Sequence, residues 1–269
     1  MIRQPVVAGH FYPGSRQALE RELQQLLPAP GEGGERRRAL GLLAPHAGYV
    51  YSGRCAGLGY ARVALTETVI LLGVNHRGVG AELAVDGNDR WETPLGLVEV
   101  DSGLRSRLIA SSPLFRVDSE AGRLEHSLEV QVPFIQHAGP GTRILPVTVG
   151  AGRLEDLLEA GAAIGELFRD HAGLTMVASS DMSHYIAAER ARELDFMAIE
   201  RMQQLDAEGL YRVVRDQRIS MCGVAPAVIM LGAARRAGAT QAELVCYANS
   251  GDVSGDMDEV VGYASLVVR

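Results

Sequence analysis

The chain has 269 residues, 47% apolar and 22% charged, with a net charge of -7. That is enough chain for a sizeable core, and the acidic balance excludes the basic face that nucleic-acid binding requires. No apolar run approaches the ~20 residues of a membrane span, Met1–Pro5 lacks the apolar core of a signal peptide, and three widely spaced cysteines argue against a disulfide framework and for a reducing, cytoplasmic compartment.

In chain order, Ser15 is placed to N-cap a helix over Arg16–Leu27, whose Leu19, Leu23, Leu26 and Leu27 fall on one face. Pro28–Arg38 reads as a linker, glycine-rich and acidic, then basic at Arg36-Arg37-Arg38. It lies too near the N-terminus to separate two domains, so residues 1–269 are expected to form one. Leu40–Ala44 is a short apolar strand, followed by Pro45-His46-Ala47-Gly48-Tyr49. Val69–Leu72 repeats the pattern and ends in Gly73-Val74-Asn75-His76. Trp91–Gly96 with Leu97–Val100 reads as a hairpin or edge strand.

Arg143–Val149 is a third buried strand. A helix over Arg153–Arg169 follows, with Leu154, Leu157, Leu158 and Ile164 in helical phase. Leu174–Ala178 is a fourth strand, leading into Ser179-Ser180-Asp181-Met182-Ser183-His184. Ala187–Gln204 and Ala207–Arg215 are helical. So is Val224–Arg236, which carries Pro226 in its first turn. Leu244–Tyr247 and Val260–Val268 close the chain as strands. Strands with little polar alternation are buried on both faces. Alternation of such strands with helices predicts an α/β fold, a central largely parallel or mixed sheet flanked by helices on both faces. Ligands in such folds collect at the carboxyl ends of the strands, where His46, His76, Asp181 and His184 are all expected.

Two imidazoles on rigid strand ends can converge on one metal. Asp181 and His184, three residues apart, suit an acid–base pair, although the serines around them also suit a turn and a helix cap. Cys222 precedes a helix, where a thiolate is stabilised and can act as ligand or nucleophile. Cys246 inside a strand and Cys55 at the start of a small-residue helix read as packing. His126 and Glu129, one turn apart, would share a helix face as a surface or capping pair. His137 and His171 are expected near helix ends. The chain has no HExxH, P-loop, dinucleotide-binding glycine motif or GxSxG elbow.

Taken together, Ala8–Pro13, Pro45–Tyr49, Gly73–His76, Glu125–Glu129, Ser179–Tyr185 and Met221–Gly223 resemble, in order, the motifs of the Memo family, also known as AmmeMemoRadiSam system protein B. The resemblance implies a fold like that of class III extradiol ring-cleavage dioxygenases. It implies that His46, His76 and Cys222 hold a metal ion, with Cys222 where the dioxygenases have a carboxylate. His184 would then be the acid–base histidine, with Asp181 beside it. Fe(II) is the metal implied, with zinc or copper as alternatives that a thiolate also suits. The activities implied are a dioxygenase-like oxidoreductase, a zinc-dependent hydrolase, or a non-enzymatic protein that binds a metal, peptide or small molecule. The family name implies association with radical SAM and AMMECR-type proteins.

Overall fold

The computed structural model describes residues 1–28 and 35–269; the central part of the expected linker, 29–34, lies outside them. Twelve strands lie among the described residues. Ile2–Arg3 (β1), Arg90–Thr93 (β5) and Gly96–Glu99 (β6) form a small sheet. The others are Gly41–Ala44 (β2), Thr68–Val74 (β3), Leu83–Val85 (β4), Phe115–Val117 (β7), Arg143–Val149 (β8), Leu174–Ser179 (β9), His184–Ile186 (β10), Ala242–Asn249 (β11) and Val260–Val268 (β12). They build a nine-stranded sheet in the order β10-β12-β2-β9-β3-β8-β4-β7, with β11 also paired to β12.

The centre of the sheet is parallel. β2 runs with β9, β9 with β3, and β3 with β8. Its flanks are antiparallel: β12 opposes β2, β11 and β10 oppose β12, and β4 opposes β8. The sheet is therefore mixed, with the expected parallel core.

The apolar runs lack alternation because both faces are covered. Leu43, Ile70, Leu72, Leu145, Val147 and Met176 face one core, shared with Leu157, Ala198 and Val228 from three helices. Leu42, Ala44, Val69, Leu71 and Val177 point the other way, to a core shared with Leu19, Leu23, Tyr60 and Phe134. Each strand thus contributes to two cores in alternate positions. At about 1.5–3 kcal/mol for each fully buried aliphatic side chain, a polar residue in any of these positions would oppose the fold.

The helices follow their sequence signals closely. Arg16–Leu26 is capped by Ser15, whose hydroxyl accepts from the Ala18 N–H at 3.4 Å. Leu154–Asp170 packs on Val224–Arg236 through glycines: a Cβ at Gly161 would stand 2.9 Å from the Ile229 carbonyl oxygen. No helix among the described residues is long and apolar enough to cross a membrane.

Candidate metal centre

The parallel strands end together, and their carboxyl ends carry the site. His46 lies two residues beyond β2, His76 two residues beyond β3, and Asp181 two residues beyond β9. Cys222 comes from another direction, two residues ahead of the helix Val224–Arg236, as its motif predicted. Its sulfur lies 3.3 Å from His46 Nε2 and accepts from the Asp181 N–H at 3.3 Å.

The third histidine of the cluster is His126. The ligand atoms of His46, His76 and His126 all lie within 4.8 Å of one another. The His76 and His126 rings stack at 4.9 Å between centroids, and His46 stands edge-on to both, at 5.3 and 5.5 Å. His126 does not share a helix face with Glu129. It lies in an irregular segment, and the short 3₁₀ turn Glu129–Gln131 begins only after it. Close approach of that segment to β3 reverses the expectation. Ser127 exchanges hydrogen bonds with both backbone groups of Val74, and a Cβ on Gly73 would stand 2.4 Å from Leu128. His126 is thereby turned into the site. Glu129 is buried, where it takes Arg3 at 2.8 Å and the Tyr12 hydroxyl at 2.9 Å.

The surrounding hydrogen bonds place a proton on Nδ1 of two of the rings, His46 and His76. Ser179 Oγ donates to the Ser127 carbonyl at 2.7 Å, so it can only accept from Gln131 Nε2 at 2.9 Å and from His46 Nδ1 at 3.0 Å. His46 Nδ1 therefore carries the proton, and its Nε2 lone pair faces Cys222. His76 Nδ1 lies 2.9 Å from Glu125 Oε1, and His126 Nδ1 lies 3.4 Å from the same oxygen. Glu125 also accepts from the backbone N–H groups of His76, His126 and Ser127. Burial opposes its charge, but the His76 hydrogen bond and the Ser127 N–H outweigh burial and hold its pKa at about 2. An anionic Glu125 fixes a proton on His76 Nδ1, the arrangement in which a carboxylate orients a ligating histidine.

Two of the three imidazoles, His46 and His126, are held neutral at physiological pH. Burial and the neighbouring His76 push His46 down to about 3, and burial with His46 pushes His126 down to about 4. Burial and the Asp181 charge raise the Cys222 thiol, and burial raises Asp181. A bound divalent ion would reverse the last two shifts, since it favours thiolate and carboxylate. Three imidazoles with a thiol against one of them form a donor set suited to a transition metal.

Asp181 belongs chiefly to His46: Oδ1 accepts the His46 N–H at 2.7 Å, and Oδ2 lies 4.0 Å from Nε2. His184 opens β10. Its Nδ1 donates to the Ser220 carbonyl at 2.9 Å and its N–H to Ser220 Oγ at 2.8 Å, which fixes the orientation of the ring. The next residue, Tyr185, is exposed in the left-handed region at φ 57°. The remaining expected positions are peripheral. His137 lies in the last turn of Val132–Ala138, and His171 is the C-terminal cap of Leu154–Asp170.

The fold and this cluster define an α/β protein with a histidine-rich, metal-competent centre at the carboxyl edge of a mixed sheet. A family model described as "Memo-like protein" matches residues 3–267, and the chain belongs to the Memo family. A MEMO1 family protein of Methanosarcina barkeri is 44% identical over the whole of both chains. One of Aquifex aeolicus is 41% identical, covering 99% of this chain and 98% of its own. An uncharacterized protein of Escherichia coli K12, JW3007, has a similar solved fold, with a TM-score of 0.56 at 14% identity, covering 86% of this chain and all of its own.

Proposed function

We propose that this protein is a metal-dependent, dioxygenase-like oxidoreductase whose ion is Fe(II), held by His46, His76 and Cys222 together with His126. The observation that supports this most directly is the convergence of three imidazoles whose ligand atoms lie within 4.8 Å, with Cys222 Sγ 3.3 Å from His46 Nε2. Four protein donors would leave a six-coordinate iron two positions to spare, whereas they complete the coordination of a tetrahedral zinc ion. Iron bound there would supply the redox chemistry and the activation of oxygen.

The chain's own groups supply the rest. Glu125 and Ser179 hold the protons of His76 and His46 away from the centre. His184, its ring oriented through Nδ1 by Ser220, accepts a proton from a substrate hydroxyl and later returns it, a role worth about 10²–10⁴-fold in rate. Asp181 fixes the loop that carries His46. The substrate is a small molecule able to reach a centre whose His76 is partly open to solvent.

The test is anaerobic purification with metal analysis, followed by oxygen uptake against a panel of catechols. Iron at one equivalent with catechol-dependent uptake is the expected result. Zinc with hydrolytic turnover and no uptake would transfer the function to the hydrolase reading. Tight metal binding without turnover on either panel would make the protein a non-enzymatic binder, the class in which association with radical SAM and AMMECR-type proteins would have to be sought.

A further inference from the structure

None of the roles assigned above uses Cys55 or Cys246, yet the fold brings them together. Cys55 is buried in the first turn of the helix Arg54–Ala61, which lies close on β12: a Cβ on Gly59 would stand 2.9 Å from Ser265 Oγ. Ser265 Oγ donates to the Cys55 carbonyl at 2.7 Å, and the Cys55 sulfur lies 3.9 Å from that hydroxyl. Across the sheet, Cys246 on β11 is the direct partner of Ser265. Directly opposed residues of an antiparallel pair place their Cβ atoms about 4.5–5.5 Å apart on one face.

A β-bulge makes this meeting possible. The register of β11 shifts between Leu244 and Cys246, so that Leu244 pairs with Leu266 and Cys246 with Ser265. Leu244 and Tyr247 pack on one core, and Val245 on the other. In an unbroken strand Cys246 would face the same side as Leu244. The extra residue re-aims it, as bulges do, to the face of Ser265 and Cys55. Cys246 is thus not simple filler; it is half-buried and directed at a second thiol.

We propose that Cys55 and Cys246 form a reversible dithiol–disulfide couple, oxidised by hydrogen peroxide or an organic hydroperoxide. The thiols are unequal in the way such a pair requires. A hydrogen bond from Cys55 lowers the pKa of Cys246 against the opposing effect of burial. The Arg54 charge adds to the lowering and the Asp252 charge opposes it, while Cys55 is held protonated. Cys246, the more accessible, is the attacking thiolate. Its sulfur bonds to one peroxide oxygen and the O–O bond breaks, giving Cys246 sulfenic acid and a hydroxide that takes a proton to become water. The Cys55 sulfur then attacks the sulfenic sulfur. The S–S bond forms, the S–O bond breaks, and the departing hydroxide leaves as water with the Cys55 proton. Two thiols and one hydroperoxide thus give one disulfide and two waters, or water and an alcohol for an organic hydroperoxide, and a dithiol reductant reverses the change.

The full-length protein, treated with hydrogen peroxide, alkylated and digested with trypsin without reduction, provides the test. The expected product joins peptide 55–62 to peptide 237–269, lost on treatment with dithiothreitol. In a Cys55→Ala variant, Cys246 should stop at the sulfenic acid and be captured by dimedone. Recovery of both peptides with free alkylated thiols while peptide 219–235, which carries Cys222, is oxidised would overturn the proposal. So would progress of Cys246 to the sulfinic acid in the wild type without linkage. Should Cys55→Ala fail to fold, the wild-type map decides alone.

Discussion

Replacing Glu125 by Gln tests how the centre is held. The carboxylate is buried and ionised, and takes His76 Nδ1 at 2.9 Å together with three backbone N–H groups at 2.8–2.9 Å. Glutamine keeps the shape but removes the charge and turns an NH₂ group toward donors. His76 then loses the partner that fixes its proton on Nδ1, and loss of such a partner typically costs 10–100-fold in metal affinity. Titration of the metal-free protein with Zn²⁺ or Co²⁺ should show the loss in the dissociation constant, and Co²⁺ should also show an altered visible spectrum. The stability cost has a defined pH window. The folded pKa of Glu125, about 2, is below its ordinary value of 4.5. Its contribution is therefore fully present above about pH 4.5 and lost as the pH falls toward 2. At neutral pH the linkage corresponds to roughly 3 kcal/mol. Glu129→Gln is the control: it breaks the buried pair with Arg3 and should destabilise by a comparable amount while leaving metal affinity nearly intact. Equal affinity in wild type and Glu125→Gln, on folded protein, would refute the orienting role.

Three further outcomes are expected. Cys222→Ser should lose bound metal, whereas Cys55→Ser and Cys246→Ser should keep it; equal metal content in the three removes Cys222 from the donor set. His184→Ala should retain the metal and lose turnover, while His46→Ala should lose both, as read by metal stoichiometry alongside rate. Lowering the pH from 7 to 5 should weaken the metal-free protein by roughly 2 kcal/mol for each of His46 and His126, because their folded pKa values of about 3 and 4 lie below the ordinary 6.5. The unfolded chain takes up those protons first, so stability is full above pH 6.5 and falls below it; urea midpoints that do not move between pH 7 and 5 would contradict the neutral state of these two rings.

Much of this arrangement is legible in the sequence because it rests on simple physical signals. Doubly covered strands must be continuously apolar, so β2, β3, β8, β9 and β12 stand out, and the residues just after three of them mark the site edge. Helices with caps and 3.6-residue phase stand out equally well. The three-residue strands β4, β7 and β10 are too short to show a period. The antiparallel flank is hidden because apolarity carries no direction. His126 was missed for a different reason. Its position depends on packing against Gly73, a contact between segments some fifty residues apart, and local spacing suggested a helix there instead. The signals available were the missing side chain at Gly73 and the crowding of Glu125, His126 and Ser127. Cys246 shows the same limit, since the bulge that redirects it has no sequence mark.

The order in which the chain is made constrains when the centre can exist. Cys222 meets His46 across 176 residues. The strand that precedes His46 gains its second neighbour only from β12, whose Val268 pairs with Gly41. Long-range pairings of this kind form late, after the loop between them has closed. Any ion the centre holds would therefore be taken up after these pairings have formed. Loss of β12 would leave β2, the strand that leads into His46, as an unpaired sheet edge held only by β9.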